Sequence, residues 1–465
     1  MTSIMDYKAY KDFLEGKVRA NQSYGFEPKG DLQALFPWQR DVAAWACKKG
    51  RAALFEDCGL GKTPQQLAWG DEVHKATGSP VLILAPLAVS RQTVREGKKF
   101  GIDVNLVETD ADVVNGLNIT NYEKLDKLDT GRFSGVVLDE SSILKAYTGK
   151  VKRQIVRAFR DTPYRLCATA TPAPNDLMEL LNHAEFLGIM RSNEALPCWF
   201  IADQSNSGHY RLKGHAQEDF WRWVASWAVC ISKPSDIGYS DEGYALPPLN
   251  EVDEILSTSN IGGMEEIART IQISATGFHR EKRRTLGIRT QRCAELANAT
   301  SEQVLVWCYQ NDEADALKKL IPDAVEVRGS DKTEVKERAA VDFAEGRKRV
   351  LISKPSIFGY GLNFQNCHEA IFCGMDYSYE SYYQAVRRLY RFGQTQPVTI
   401  RRVMSDTERH VLEVVEQKAR LKQEMGVSMG QAMKEFQTDA IRGRNFTLNL
   451  SPQMAIMPEW LKEAI

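Results

Sequence analysis

Two tandem α/β units, each a parallel sheet flanked by helices, are expected from three features of this 465-residue chain. Short β-branched runs alternate with helical periodicity, the alternation starts again after a break, and the first apolar run ends in a glycine turn that opens a helix. Such alternation implies crossover helices that return each strand parallel to the last and cover both faces of the sheet. In the first series the expected strands are 52–55, 81–85, 118–120, 135–138 and 165–168, with helices such as 41–49 and 151–159 between them. In the second they are 304–308, 325–328, 349–353, 370–372 and 398–403. Between the series Trp199, Phe200, Tyr210, Phe220, Trp221, Trp223 and Trp227 crowd together, and Pro234, Pro247 and Pro248 close the segment. That segment reads as a helical insertion whose aromatics make a small core of their own, followed by a linker. The boundaries expected are an N-terminal helical extension (1–30), a first lobe (31–189), the insertion and linker (190–250), a second lobe (251–425) and a C-terminal extension (426–465).

Composition narrows the class. With 43% hydrophobic and 26% charged residues the chain is an ordinary globular one, long enough for several cores. The first ten residues lack the basic start and apolar run of a secretion signal, and no apolar stretch is long enough to cross a bilayer, so a cytoplasmic protein without a membrane partner is expected. Nine cysteines without a C-x-x-C pair point to reduced thiols, with neither a zinc ribbon nor a disulfide framework. A net charge of −1 does not advertise nucleic acid, so any such partner requires a local basic surface.

Three motifs carry chemistry. In Ala53-Leu-Phe-Glu-Asp-Cys-Gly-Leu-Gly-Lys-Thr63 an apolar run breaks into a turn and then a helix. Gly59 and Gly61 let consecutive N–H groups and the helix start approach an anion; Lys62 supplies charge to the β/γ-phosphates and the Thr63 hydroxyl can hold Mg²⁺. The complete phosphate-loop pattern has a glycine where this chain has Glu56. In Val136-Val-Leu-Asp-Glu-Ser-Ser142 a strand delivers two carboxylates at its C-terminal end, where ligands bind in open α/β sheets. Asp139 is suited to orient Mg²⁺, and Glu140 to polarise the water that attacks the γ-phosphate. In Gln384-Ala-Val-Arg-Arg-Leu-Tyr-Arg-Phe-Gly-Gln394, Arg388 and Arg391 lie three apart and share a helix face, so they can serve as arginine fingers if the second unit packs on the first.

These residues resemble a known family. The chain is similar to superfamily 2 helicase-type motors with two RecA-like lobes, nearest the Swi/Snf-like branch, and within it to compact phage and prophage-encoded helicases. Phe36-Pro-Trp-Gln39 resembles the adenine-reading glutamine motif, Asp57 to Thr63 motif I, Leu84-Ala-Pro-Leu87 motif Ia, Thr120-Asn-Tyr-Glu123 motif Ib, and Asp139-Glu-Ser-Ser142 motif II. Ala168-Thr-Ala-Thr-Pro172 resembles motif III, Gly359-Tyr-Gly-Leu-Asn-Phe364 motif V, and Gln384 to Gln394 motif VI. Leu246-Pro-Pro248, Thr407-Glu408 and Lys418 also fit the branch. The resemblance implies ATP and Mg²⁺ as cofactors, with nucleotide contacts from Gln39, Gly59, Gly61, Lys62, Thr63, Gly361 and Gln384. It further implies a monomer that tracks duplex DNA through its phosphates, with contacts at Pro86, Thr120, Asn121, Ser353 and Asn363. The basic cluster Arg280, Lys282, Arg283, Arg284, Arg289 and Arg292 is a candidate extension of that track. If phage-encoded, the protein works in the host cytoplasm. An ATP-switched protein-binding scaffold, and a conventional strand-separating DNA or RNA helicase, are the alternatives. Two departures stand out: motif II reads Asp-Glu-Ser-Ser, and Arg387 stands where many relatives carry Asp.

Overall fold

The computed structural model describes residues 24–30, 32–86, 89–146, 149–202, 210–259, 275–358 and 363–441. Most of the expected N-terminal helical extension, 1–30, lies outside them; 24–30 is irregular backbone.

The first lobe runs α1 (Pro37–Lys49), β1 (Arg51–Glu56), α2 (Lys62–Thr77), β2 (Val81–Ala85), α3 (Ser90–Lys99), β3 (Val104–Leu106), β4 (Leu117–Asn121), β5 (Gly135–Asp139), α4 (Lys150–Ala158), β6 (Tyr164–Thr169), α5 (Glu179–Leu187), α6 (Ser192–Trp199), β7 (Phe200–Ala202), β8 (Tyr210–Leu212), α7 (Gln217–Ala225) and β9 (Ala228–Ile231). Seven strands form one parallel sheet in the order β3-β4-β2-β5-β6-β1-β9, while β7 and β8 make a separate hairpin. The central strands read as unbroken apolar runs because helices cover both of their faces: all five residues of β2 and of β5 are buried.

The stretch 190–250 is not an insertion. Its last strand, β9, pairs in parallel with β1, Ala53 opposite Ala228 through Glu56 opposite Ile231. Phe200, Phe220, Trp221, Trp223 and Trp227 are buried in the same core as Phe55, Leu138 and Phe186. The aromatics therefore close one end of the first sheet and do not build a core of their own. The physical reason is the edge that β1 would otherwise present: unpaired backbone groups and apolar side chains beside the phosphate loop. The first lobe thus extends past residue 189 to β9.

The second lobe runs β10 (Leu249–Leu256), α8 (Ala275–Arg284), α9 (Leu286–Asn298), β11 (Val304–Trp307), α10 (Asn311–Leu320), β12 (Val325–Glu326), α11 (Thr333–Ala344), β13 (Val350–Ser353), α12 (Pro355–Phe358), β14 (Glu369–Cys373), α13 (Tyr379–Val386), β15 (Val398–Ser405) and α14 (Arg409–Ile441). Its parallel sheet has the order β10-β15-β14-β11-β13-β12. The boundary expected at 425 falls inside α14, a single 33-residue helix that returns to the first lobe and lies against α7, β9 and α1. Its last residue, Ile441, is buried in the first lobe's core. No helix among the described residues is long and apolar enough to cross a membrane.

The basic cluster before β11 is mostly spent inside the second lobe. Arg289 is fully buried and donates to Glu313 at 2.7 Å, with Glu408 at 3.5 Å; Arg284 pairs with Glu281, and Arg292 with Glu254 and Glu295. Lys282 is buried over the rings of Phe278 and Tyr309, which leaves Arg280 and Arg283 exposed.

Candidate active site

The phosphate loop follows directly from β1. Gly59 and Gly61 adopt left-handed φ values of 90° and 79°, and a Cβ on Gly61 would lie 2.3 Å from Gln39 Nε2. The glycines are thus required by conformation and by close approach. α2 begins at Lys62, which aims its unpaired N–H groups at the turn. Lys62 Nζ donates to the carbonyls of Glu56 at 2.7 Å and Asp57 at 3.2 Å. Gln39 fastens the turn from outside, donating Nε2 to Leu60 O at 2.7 Å and accepting from Phe36 N at 3.1 Å. Glu56, where the loop pattern has a glycine, is fully buried behind the loop and accepts from Gln65 Nε2 at 2.8 Å. Burial raises its carboxyl to about 7 against the pull of Lys62 and Gln65.

β5 carries the paired carboxylates to the same edge. Asp139 Oδ1 accepts from Gln66 Nε2 of α2 at 2.8 Å, and Glu140 Oε2 accepts from Thr169 Oγ1 of β6 at 3.3 Å. Glu140 is the one non-glycine with positive φ among the described residues, at 54°. A side chain held in that sparsely populated region is the kind of local strain that clusters at functional sites. Burial, reinforced by the neighbouring Asp139 charge, raises Glu140 to about 7, while Lys62 and Arg388 pull it down. Burial likewise raises Asp139.

The second lobe closes this edge into a cavity of about 350 Å³. Gly59, Gly61, Lys62, Thr63, Asp139 and Glu140 line it from one side, Arg388, Arg391 and Asn363 from the other. Arg388 is 5% exposed and is anchored by Nε to Gln384 O at 3.1 Å and Nη2 to Gln384 Oε1 at 3.2 Å. Arg391 donates to Asn363 Oδ1. Burial and the charge of Arg388 lower Arg391 to about 10, so it remains a cation at neutral pH. The donor set fits a magnesium nucleotide: a glycine cradle that a Cβ would fill, one ammonium, two guanidinium groups, and the hard oxygens of Thr63 and Asp139 that Mg²⁺ takes while keeping waters and phosphate oxygens for its other positions. No cluster of three or more metal-ligating His, Cys, Asp or Glu occurs among the described residues.

The other end of the cavity is aromatic. Phe36, Tyr244 and Phe392 line it, with ring centroids 6.3 Å apart for Phe36 and Tyr244 and 5.0 Å for Tyr244 and Phe392. Trp38 Nε1 donates to the Tyr244 hydroxyl at 3.0 Å. The three rings come from the first lobe, the linker and the second lobe. Sequence reasoning missed Tyr244 and Phe392; Phe392 lies inside the motif VI segment, but nothing local to Tyr244 signals its place.

Several expected site residues fall elsewhere. Gln384 lies behind Arg388 and accepts from Cys58 Sγ at 3.6 Å, and does not line the cavity. Gly361 lies outside the described residues. Of the expected nucleic-acid contacts, Thr120 is 1% exposed with its hydroxyl donated to Val107 O, and Ser353 is 1% exposed with its hydroxyl donated to Val327 O. Both hydroxyls are consumed by carbonyls just past the ends of β3 and β12, because each residue is buried against the segment that follows the adjacent strand. Asn121 is buried with Oδ1 lacking a hydrogen-bond partner among the described residues, Pro86 is half-buried just past the end of β2, and Asn363 is exposed at the rim of the cavity. Beside motif II, Glu380 of α13 bridges the lobes, accepting from Lys145 Nζ at 2.6 Å and Thr171 Oγ1 at 3.4 Å. Ser141 is held by the buried His183 at 3.2 Å.

Comparison with known proteins agrees with this geometry. Residues 38–200 match the SNF2-related domain and residues 289–393 the helicase conserved C-terminal domain. The SWI/SNF-related matrix-associated actin-dependent regulator of chromatin subfamily A-like protein 1 of Bos taurus is 22% identical over 438 residues, covering 85% of this chain and 45% of the relative. Its Xenopus laevis counterpart is 33% identical over 158 residues, 31% of this chain and 16% of the relative. The DNA annealing helicase and endonuclease ZRANB3 of Bos taurus is 26% identical over 200 residues, 39% and 17% respectively. The chain spans less than half the length of these relatives. Among solved structures, the Sulfolobus solfataricus SWI2/SNF2 ATPase core in complex with dsDNA is similar at 18% identity and a TM-score of 0.41, covering 90% of this chain and 97% of that one. With an SNF2-related domain and a helicase C-terminal domain in this order, facing each other across a phosphate loop, an Asp-Glu pair and two arginines, the chain belongs to the Swi/Snf-like branch of superfamily 2 helicase-type ATPases.

Proposed function

We propose that this ATPase is a motor that tracks DNA, duplex in preference to single strands, and that Lys62, Asp139, Glu140, Arg388 and Arg391 perform the hydrolysis. The observation that carries the reading is the single cavity in which the phosphate loop and acid pair of one lobe meet the arginines of the other. Lys62, whose ammonium is held by the loop carbonyls, transfers to the β/γ-phosphates when nucleotide enters. Glu140, raised by burial, takes a proton from the attacking water as the water's oxygen bonds to the γ-phosphorus and the bond to the ADP oxygen breaks. Arg388 and Arg391 neutralise the charge spread over the transferring phosphoryl group, held to that task by Gln384 and Asn363. Thr63 and Asp139 would hold Mg²⁺, which would supply charge neutralisation to the phosphates. Because the arginines sit on the second lobe, hydrolysis and release loosen the contact between lobes, and the motion is available for stepping.

DNA as the track is supported by the family and by the curated relatives, one of which is described as a DNA annealing helicase. The test is ATP turnover with duplex DNA, single strands and RNA over a range of salt, with Lys62→Ala as the inactive control. Duplex stimulation at least equal to that by single strands, weakening steeply with salt because phosphates carry the binding, is expected. Turnover unaffected by any nucleic acid would favour an ATP-switched scaffold, and stimulation by single strands alone a strand-separating helicase.

A further inference from the structure

The phosphate loop is gripped from outside its own lobe by three side chains that are not among those lining the cavity. Asp57, which opens the glycine turn, accepts on Oδ1 from the Tyr383 hydroxyl of α13 at 2.5 Å and from Lys422 Nζ of α14 at 3.2 Å. The next carbonyl, Cys58 O, accepts from Arg387 Nη2 at 2.5 Å. The Lys422 ammonium also lies 3.3 Å from the centroid of the Tyr383 ring. Arg387 is the motif VI departure noted in the sequence. It turns away from the cavity that Arg388 and Arg391 line, and is spent on loop backbone.

This grip is built of charge in a poorly solvated place: the Asp57 and Lys422 side chains are 25% and 20% exposed. Burial alone would raise Asp57, yet Lys422 and Arg387 hold its carboxyl below the ordinary range, so it is ionised. Apolar side chains would hold the lobes together without that desolvation cost. What an ion pair adds is orientation, here of Asp57 and therefore of the N–H groups that follow it. The same turn reaches the arginines: Cys58 Sγ donates to Gln384 Oε1, which also accepts from Arg388 Nη2. Loop and finger are thus fixed by one set of contacts. Lys422 in turn depends on α14, which is seated on the first lobe through α1, α7 and β9.

We propose that Tyr383, Arg387 and Lys422 are positioning residues that set the phosphate loop through Asp57 and Cys58, making ATP turnover conditional on lobe closure and on the docking of α14. This rests on the cavity being the ATP site. A protein partner that lifts α14 would switch turnover off without touching nucleotide or DNA.

The experiment uses the full chain and measures kcat, KM for ATP and melting temperature for Lys422→Met, Tyr383→Phe, Asp57→Asn and the Lys422→Met/Asp57→Asn double variant. Each single change should lower kcat by about tenfold with KM moved less than about threefold and the melting temperature unchanged, as for coupling energies of this class. The double variant should be no slower than the slower single one, and Lys422→Arg should recover most of the rate. Tyr383→Phe removes one hydroxyl and reads the same contact should Lys422→Met fold poorly. Wild-type kcat in both Lys422→Met and Tyr383→Phe, additive losses in the double variant, or losses that only follow the melting temperature would overturn the proposal. Full turnover by Lys62→Ala would instead overturn the cavity as the ATP site, so the two failures are distinguishable.

Discussion

Replacing Glu140 by Gln separates its chemical role from its cost to the fold. The ordinary carboxyl value of 4.5 is raised to about 7 in the folded chain, chiefly by burial and then by Asp139. Between those values the folded protein holds a proton that the unfolded chain has released, so the group's favourable contribution is complete below about pH 4.5 and is lost as pH rises through about 7. At ~1.4 kcal/mol per pH unit the full loss is ~3 kcal/mol. Gln cannot ionise, so Glu140→Gln should gain on wild type as pH rises, by ~2 kcal/mol between about pH 5.5 and about pH 8.5. For a lobe of this size that corresponds to a first-lobe melting shift of ~4–8 °C. The left-handed backbone at position 140 is kept by both side chains and cancels. The assay is thermal or urea unfolding followed by tryptophan fluorescence at both pH values, beside ATP binding and turnover. Binding should persist and turnover should vanish. A stability difference that is the same at both pH values would show that Glu140 is already an ordinary ionised carboxylate, and retained turnover would remove it as the general base. The wild-type kcat/KM should fall below about pH 7 for the same reason.

Arg391→Ala should lower kcat by ~10³ or more, and Arg391→Lys should not restore it because an ammonium cannot fork onto spread phosphoryl charge; single-turnover kinetics with bound ATP would show this. Tyr244→Ala and Phe392→Ala should each weaken ATP and ADP binding by about fivefold or more while leaving inhibition by inorganic tripolyphosphate unchanged, since the lost contact is to the base. Equal loss for tripolyphosphate would place the rings outside the base end. Thr120→Val should cost ~1 kcal/mol in unfolding experiments, for the hydroxyl bonded to Val107, and leave DNA stimulation of the ATPase intact; lost stimulation at unchanged stability would return Thr120 to the track.

Local pattern alone determined much of this protein. Strands β1, β2, β5, β6, β11, β13 and β14 are buried, largely apolar runs, which a parallel sheet covered by helices requires, and they were legible; β4, β12 and β15 were legible too, although β4 and β15 carry polar residues and β12 is a half-buried pair. Lys62, Asp139, Glu140, Arg388 and Arg391 were legible as a chemistry-bearing set, and the fold brings them to one cavity, but Arg388 and Arg391 reach it from the turn after α13 and not from one helix face as expected, because α13 ends at Val386. Tertiary structure decided the rest. The cluster from Trp199 to Trp227 has the composition of a separate core, yet it packs on the first sheet because the edge of β1 that does not face β6 needs a parallel neighbour, which β9 supplies. Thr120 and Ser353 carry the right side chains for phosphate contacts, but their strands turn them inward, where a buried hydroxyl must find a carbonyl. Tyr244, Phe392, Arg387 and Lys422 gain their places only when two distant lobes and a returning helix meet at the phosphate loop. A contact between Asp57 and Lys422 spans 365 residues, and no periodicity within either segment encodes it.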